Sequence, residues 1–99
     1  MPVKHIAFLK FKTDISEAQI KSIYQDLAGL KSVIPGLIEF TGGPYSSQEG
    51  LNKGFTHAFT MDFKDEASRD GYLPHPEHEI VKNKLLPLID DVAVVDYLY

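Results

Sequence analysis

The segment VKHIAFLKFK, Val3–Lys12, decides the fold because its side chains alternate between two faces that both carry apolar residues. The odd-numbered positions from Val3 to Phe11 form one face of a β-strand, which is apolar except for His5. The other face carries Ile6 and Phe8 between lysines. A strand with a solvated second face would be polar along that whole face. We therefore expect both faces to be covered, the second one by a partner chain.

A helix is predicted immediately after this strand, from Ser16 to Ile34. Ser16 and Gln19 form a capping box, in which the hydroxyl and the amide satisfy two backbone donors of the first turn. Apolar residues then recur every three or four positions, as the buried stripe of a helix requires. Pro35-Gly36 ends the helix.

The remaining segments predict three further strands and a second helical region. In chain order they are a strand at Leu37–Thr41, a bend or bulge at Gly42-Gly43-Pro44, a polar loop at Tyr45–Gly54, a strand at Phe55–Lys64, a helical turn at Asp65–Tyr72, a helix from Pro76 to about Leu86, and a strand at Val92–Leu98. Pro76 suits a first helical position, where a missing N–H is not needed.

The order β-α-β-β-α-β predicts a ferredoxin-like α+β fold, a single domain over residues 1–99 with a four-stranded antiparallel sheet. Its helices cover one sheet face. The face with Ile6 and Phe8 is left open, so we expect a homodimer whose two sheets close into an α+β barrel.

Composition excludes several classes of protein. A net charge of −4 and a pI near 5.4 disfavour nucleic acid as a partner. The absence of cysteine excludes disulfides, thiolate nucleophiles and zinc–thiolate sites. Charges interrupt every apolar run, including the N-terminal one, so we expect no membrane span, no signal peptide and a cytoplasmic location.

The candidate chemistry lies in histidine and tyrosine, because nucleophile-elbow, phosphate-loop and HExxH motifs are missing. His5 and His57 fall on the same face of two strands that pair in this fold. Each is either a core histidine bonded to a neighbour or part of a polar pocket. His75 and His78 have a spacing that suits a metal on a helix, but His75 precedes Pro76, which favours extended geometry.

His78 in the first helical turn lies near the positive end of the helix dipole, which disfavours its protonated form. A neutral imidazole can act as a general base. Tyr72 precedes the Pro-His-Pro break and either anchors a loop or turns its hydroxyl toward the same space. There it could donate a hydrogen bond to a carbonyl and stabilise an enolate.

The segments VKHIAFLKFK, GFTHAFTMDF, YLPHPEH and VVDY resemble, in order and over nearly the whole chain, the stress-responsive A/B barrel domain (Dabb) family. The resemblance implies the same ferredoxin-like dimer. One plant enzyme of the family closes a linear polyketide by aldol condensation without a cofactor or metal. By that resemblance His78 would be the base and Tyr72 its oxyanion or acid partner, while His57 and His5 would position or polarise the site.

The resemblance also implies a substrate pocket formed by Ile23, Tyr24, Leu27, Phe59, Leu73 and Val81. Lys82 stands where the plant enzyme has a small neutral residue. Some plant members bind magnesium through backbone carbonyls, which correspond here to Lys31, Ile34 and Leu37. Three interpretations stay open: a dimer whose pocket binds a small apolar, phenolic or keto ligand, a cofactor-independent cyclase or lyase, and a structural stress-protective oligomer.

Overall fold

A computed structural model describes residues 1–99, the whole chain. Its elements, in order, are β1 (Val3–Phe11), α1 (Glu17–Gly29), β2 (Leu37–Pro44), β3 (His57–Phe63), α2 (Glu66–Tyr72), α3 (Pro76–Leu85) and β4 (Ile89–Leu98). The strands form one antiparallel sheet in the order β2-β3-β1-β4. This is the ferredoxin-like α+β arrangement that the sequence predicts.

Alternation along the central strand β1 separates the two sheet faces. Val3, His5, Ala7, Leu9 and Phe11 are all buried against the helices. The four apolar members of this set pack with apolar residues of α1, α2 and α3 into one continuous core. Burial of this face supplies the main driving force for folding, since the stabilisation grows with the apolar area removed from water.

The first helix is shorter than predicted. Helix α1 begins at Glu17 behind the predicted capping box, with Ser16 as its N-cap, but it ends at Gly29. A short 3-10 turn follows at Leu30–Ser32. The tighter turn keeps Leu30 and Ile34 buried in the core, which explains why their spacing resembled a continuing helix.

The bend predicted at Gly42-Gly43-Pro44 is wrong, because β2 continues through all three residues and pairs with β3. The irregular pairing of this strand lies instead between Leu37 and Glu39. Gly42 is needed for close packing. A β-carbon there would lie 2.7 Å from the β-carbon of Phe59 and 2.9 Å from the ring of Tyr24.

Two other strand limits differ from the prediction. Strand β4 begins at Ile89 rather than Val92, since Asp91 pairs with Lys10 of β1 despite its charge. Strand β3 begins at His57, and Phe55 lies outside it. The ring of Phe55 is 5.9 Å from that of Phe8, so it lies toward the helix-free face.

The helix-free face is apolar and open in the single chain. Phe8 is 37% exposed and Val95, which pairs with Ile6, is 53% exposed. Tyr97 and Tyr99 continue this surface toward the C-terminus, where the Tyr99 hydroxyl donates to Asp62 at 2.9 Å. No helix in the structure has the length and apolar character that crossing a membrane requires.

Candidate functional site

A cavity of about 260 Å³ lies between the sheet and helices α2 and α3. Most of its lining is aliphatic or aromatic, and it contains three of the side chains that the sequence analysis singled out, His5, Tyr72 and His78. The rest of the lining consists of Ala7, Leu9, Leu27, Phe59, Leu73, Lys82, Leu85, Leu86, Ile89, Val92 and Val94. An apolar cavity with a few convergent polar groups is the usual form of a small-molecule site.

The start of helix α3 directs His78 into the cavity and His75 away from it. His75 is the N-cap residue, with extended backbone geometry, and Pro76 is the first helical residue, as predicted. The Nδ1 atom of His75 accepts the backbone N–H of Glu77 at 3.1 Å, which caps the helix. His75 therefore has a structural role and does not join His78 in a metal pair.

His78 is held as a neutral imidazole with a defined tautomer. Its Nδ1–H donates to the carbonyl of Leu73 at 2.9 Å, which leaves Nε2 as an acceptor. Burial is the main cause that lowers the pKa of His78, although the Leu73 carbonyl opposes it. The unprotonated form therefore predominates at neutral pH.

Tyr72 is buried beside His78, with 4.1 Å between the two ring centroids. The hydroxyl of Tyr72 makes no hydrogen bond to the protein, unlike the hydroxyls of Tyr24 and Tyr99. No fully enclosed side-chain polar atom lacks a partner, so the Tyr72 hydroxyl must reach the open space of the cavity. Burial raises the pKa of Tyr72, and the phenol therefore remains a hydrogen-bond donor.

His5 is the third of these polar side chains in the cavity. Two residues that the sequence did not indicate, Asp96 and Arg69, fix its orientation. Its Nδ1–H donates to Asp96 Oδ1 at 2.7 Å, and Arg69 donates from Nη1 to Asp96 Oδ2 at 2.9 Å. His5 and Asp96 are register partners on β1 and β4. An acidic residue in the apolar strand VAVVDYL was the available signal, but its meaning depends on the register.

His57 does not line this cavity, so the structure does not bring it together with the other three residues. It pairs with Leu9, four residues along β1 from His5, which is about 13 Å in a strand. The pair Ala7 and Phe59 lies between them. His57 packs instead against Phe11 and bonds Thr56 Oγ1 at 2.9 Å, and burial lowers its pKa.

Half of the predicted substrate-binding set lines the cavity: Leu27, Phe59 and Leu73. Ile23 and Val81 are buried core residues outside the lining. Tyr24 lies by His57, where its hydroxyl donates to the carbonyl of Ala58 at 2.9 Å and burial raises its pKa to about 12. The helices turn these three side chains toward the core or toward β3, so they do not line this cavity.

The structure contains no cluster of three or more histidine, cysteine, aspartate or glutamate side chains that could hold a metal ion. At the predicted magnesium positions, the Ile34 carbonyl accepts the Leu37 amide at 3.3 Å. Glu39 is paired with Lys31 at 3.3 Å. Magnesium ligation by the three backbone carbonyls stays a prediction.

Comparison with known proteins places the chain among small α+β proteins. The model of the Stress responsive A/B Barrel Domain family matches residues 3–99. The chain is 32% identical to the stress-response A/B barrel domain-containing protein HS1 of Arabidopsis thaliana over 96 residues, which cover 97% of this chain and 88% of HS1. It is also 32% identical to olivetolic acid cyclase of Cannabis sativa over 78 residues, 79% of this chain and 77% of the cyclase.

Solved structures of similar proteins superpose closely on this chain. A crystal structure of an Arabidopsis thaliana protein superposes with a TM-score of 0.94 at 31% identity, covering 98% of this chain and 94% of that one. Hydroxynitrile lyase from Passiflora edulis superposes with a TM-score of 0.91 at 26% identity, covering 99% of this chain and 93% of the lyase chain. A dimeric ferredoxin-like protein from a Jannaschia species superposes with a TM-score of 0.89 at 27% identity, and 100% of each chain is covered.

Proposed function

The chain belongs to the stress-responsive A/B barrel domain (Dabb) family, and we propose that it is a homodimer whose cavity binds a small, mostly apolar molecule with one polar group. One observation carries the proposal. The Tyr72 hydroxyl and the Nε2 atoms of His78 and His5 have no protein partner, although all three side chains line a cavity whose other walls are apolar except for Lys82. A ligand hydroxyl would donate to an Nε2 atom and accept from Tyr72, and a ligand carbonyl would accept from Tyr72.

The homodimer part of the proposal rests on the open sheet face. Phe8, Val95 and Tyr97 form an exposed apolar surface on the helix-free side. A soluble monomer seldom exposes a large continuous apolar surface. The Jannaschia protein, which superposes closely, is a dimeric ferredoxin-like protein. Two copies of this chain would cover each other's sheets and leave each cavity on the outer, helical side.

Cavity size limits the ligand. A volume of about 260 Å³ lies just below the range of about 300–1,000 Å³ that is typical of sites for drug-sized ligands. A single substituted ring fits this space better than a long alkyl polyketide. Leu73 and Leu86 are half exposed at the edge of the lining and would contact any part of a longer ligand that protrudes.

Binding is tested with a panel of small phenols, aryl ketones and aromatic acids, measured by calorimetry and by NMR of the histidine ring protons. We expect at least one compound to bind and to perturb the His78 signals. Tyr72→Phe and His78→Gln should weaken that compound's affinity by about tenfold each, the effect of one lost hydrogen bond to a buried polar group. Tyr24→Phe and His57→Gln are matched controls outside the cavity and should bind like the wild type. No binding across the panel would contradict the proposal.

A second candidate function is proton transfer at the carbon next to a carbonyl group. The observation that favours it is that a neutral base, His78, lies beside a neutral hydrogen-bond donor, Tyr72. His78 Nε2 would take the proton from the carbon next to the carbonyl. Tyr72 would donate its hydrogen bond to the oxygen on which negative charge develops. His5 would help to orient the ligand. The names of two relatives, a cyclase and a hydroxynitrile lyase, agree with carbonyl chemistry of this kind.

Proton transfer is measured directly as deuterium exchange at the methylene group of phenylacetone in D₂O, followed by NMR. We expect the wild type to accelerate the exchange. His78→Gln should reduce the accelerated rate by about 10²-fold or more, the contribution of a general base, whereas His57→Gln should leave it unchanged. Ligand binding without accelerated exchange would exclude the enzyme and leave a binding protein.

A further inference from the structure

Lys82 is the only residue with a permanent charge that lines the cavity. It follows His78 by four positions on α3, so the two side chains share one side of the helix. The rise between them is about 6 Å at 1.5 Å per residue. The proximity of Lys82 also contributes to the lowered pKa of His78. A positive charge therefore stands one helical turn from the imidazole.

The partner of Lys82 is held loosely. Its Nζ lies 3.1 Å from Glu79 Oε1, and the two side chains are 41% and 42% exposed. Exposed pairs of this kind contribute little to stability, so the ammonium can exchange Glu79 for another anion at small cost. The other acidic residue close to the site, Asp96, is bonded by both His5 and Arg69 and does not line the cavity.

We propose that Lys82 makes the cavity selective for small carboxylates, and that the preferred ligand is an apolar keto acid or hydroxy acid. The inference rests on the proposed function, since it names the chemical class that the same cavity takes. The carboxylate would bond the Lys82 ammonium, the keto or hydroxyl group would face Tyr72 and His78, and the apolar body would pack against Leu9 and Phe59. Charge-assisted bonds of this type are stronger than neutral ones.

A competing explanation is that the lysine stem only covers apolar surface while its ammonium stays in water. Lys82→Met separates the two explanations because it keeps an unbranched apolar stem and removes the charge. Lys84→Met is the matched control. Lys84 is on the same helix, does not line the cavity and lies 3.6 Å from Asp26.

The experiment compares benzoylformate with 1-phenyl-1,2-propanedione, which replaces the carboxylate by an acetyl group of the same heavy-atom count. Affinities are measured by calorimetry at low and high salt. We expect the wild type to bind the acid about tenfold more tightly than the dione, the strength of one hydrogen bond to a charged group. Lys82→Met should remove this preference and the salt dependence of acid binding while leaving dione affinity unchanged. Lys84→Met should behave like the wild type.

The outcomes distinguish failure of the carboxylate selectivity from failure of ligand binding in the cavity. Equal affinity of the wild type for the two compounds, or a preference for the acid that survives in Lys82→Met, would overturn the inference and leave the ligand-binding function standing. If neither compound binds and the wider panel also fails, both proposals are contradicted. His78 ring signals that shift with the acid in wild type and in Lys84→Met locate the binding in this cavity.

Discussion

Burial acts in opposite directions on the protonation of the two side chains that we propose contact the ligand's polar group. It disfavours the cation of His78 and the anion of Tyr72, so that it lowers the pKa of the first and raises that of the second. Near neutral pH the cavity therefore contains a neutral acceptor beside a neutral donor. A ligand hydroxyl can use both groups, and a ligand carbonyl can accept from the donor.

The first prediction concerns the titration of His78. Its ring signals should titrate below the ordinary value of 6.5, as measured by proton–carbon NMR with His78→Gln used for assignment. Because the unfolded chain binds this proton more readily, the contribution of His78 to stability is complete above about pH 6.5 and is lost as the pH falls through its folded pKa. Titration at or above 6.5 would contradict the assignment of His78 as a partly buried, neutral imidazole.

The second prediction concerns Asp96, which bonds both His5 and Arg69. Asp96→Asn removes the negative charge between two donors and should lower the free energy of unfolding by about 1–3 kcal/mol, measured with urea. It should also broaden the tautomer distribution of His5 in nitrogen–proton NMR spectra. Asp70→Asn is the control, because Asp70 bonds the same arginine but is 65% exposed. An equal loss in both variants would mean that Asp96 has no special role in positioning His5.

At the residue scale, a short motif was a good guide to local placement and a poor guide to distance. YLPHPEH predicted that Tyr72 and His78 face one space, since Pro76 fixes where the helix starts. The family resemblance predicts His57 in the same site, and its position on the same strand face as His5 agrees with that prediction. A shared face does not fix separation along the strand, which depends on the register of β1 and β3.

At the scale of secondary-structure elements, strand β2 is closely packed at Gly42. Gly42→Ala would place a methyl group 2.8 Å from the carbonyl oxygen of Ala58, in addition to the contacts with Phe59 and Tyr24. We expect a loss of about 1–3 kcal/mol in the free energy of unfolding, as is usual for overpacking. Gly43→Ala is an adjacent control with no atom within 4 Å of the added carbon, and it should be neutral or slightly stabilising. Similar losses in both variants would contradict the packing explanation.

Element types were predictable from the sequence, and element ends were less so. The capping box at Ser16 and the first-turn Pro76 marked helix starts correctly, and the turn predicted from Asp65 begins one residue later, with Asp65 as its N-cap. Where α1 ends and how far β2 extends depended on tertiary contacts, namely the burial of Leu30 in a 3-10 turn and the pairing of Gly42 with Phe59. Local propensity does not contain this information, and tertiary packing overrides it.

At the scale of the whole molecule, the two faces of the sheet have separate tasks. Odd-numbered positions of β1 build the core and contribute His5 to the cavity, while Ile6 and Phe8 lie on the helix-free side. The sequence predicts this division because side chains along β1 alternate between two faces, and both faces are apolar at the centre of the strand. The arrangement leaves the cavity mouth and the proposed dimer surface on opposite sides, so ligand binding and association can be altered independently.

Two adjacent valines of β4 test that independence. Val94 and Val95 are both 53% exposed, but Val94 lines the cavity on the helical side and Val95 pairs with Ile6 on the helix-free side. Val95→Glu would bury an unpaired charge between two sheets and should raise the dimer dissociation constant by about tenfold or more, measured by sedimentation velocity over a range of concentrations. Val94→Glu carries the same charge on the other face and should leave the dimer intact while weakening binding in the cavity. A wild-type chain that sediments as a monomer at high micromolar concentration, or a dimer equally weakened by both substitutions, would contradict the assignment of the helix-free face as the contact surface.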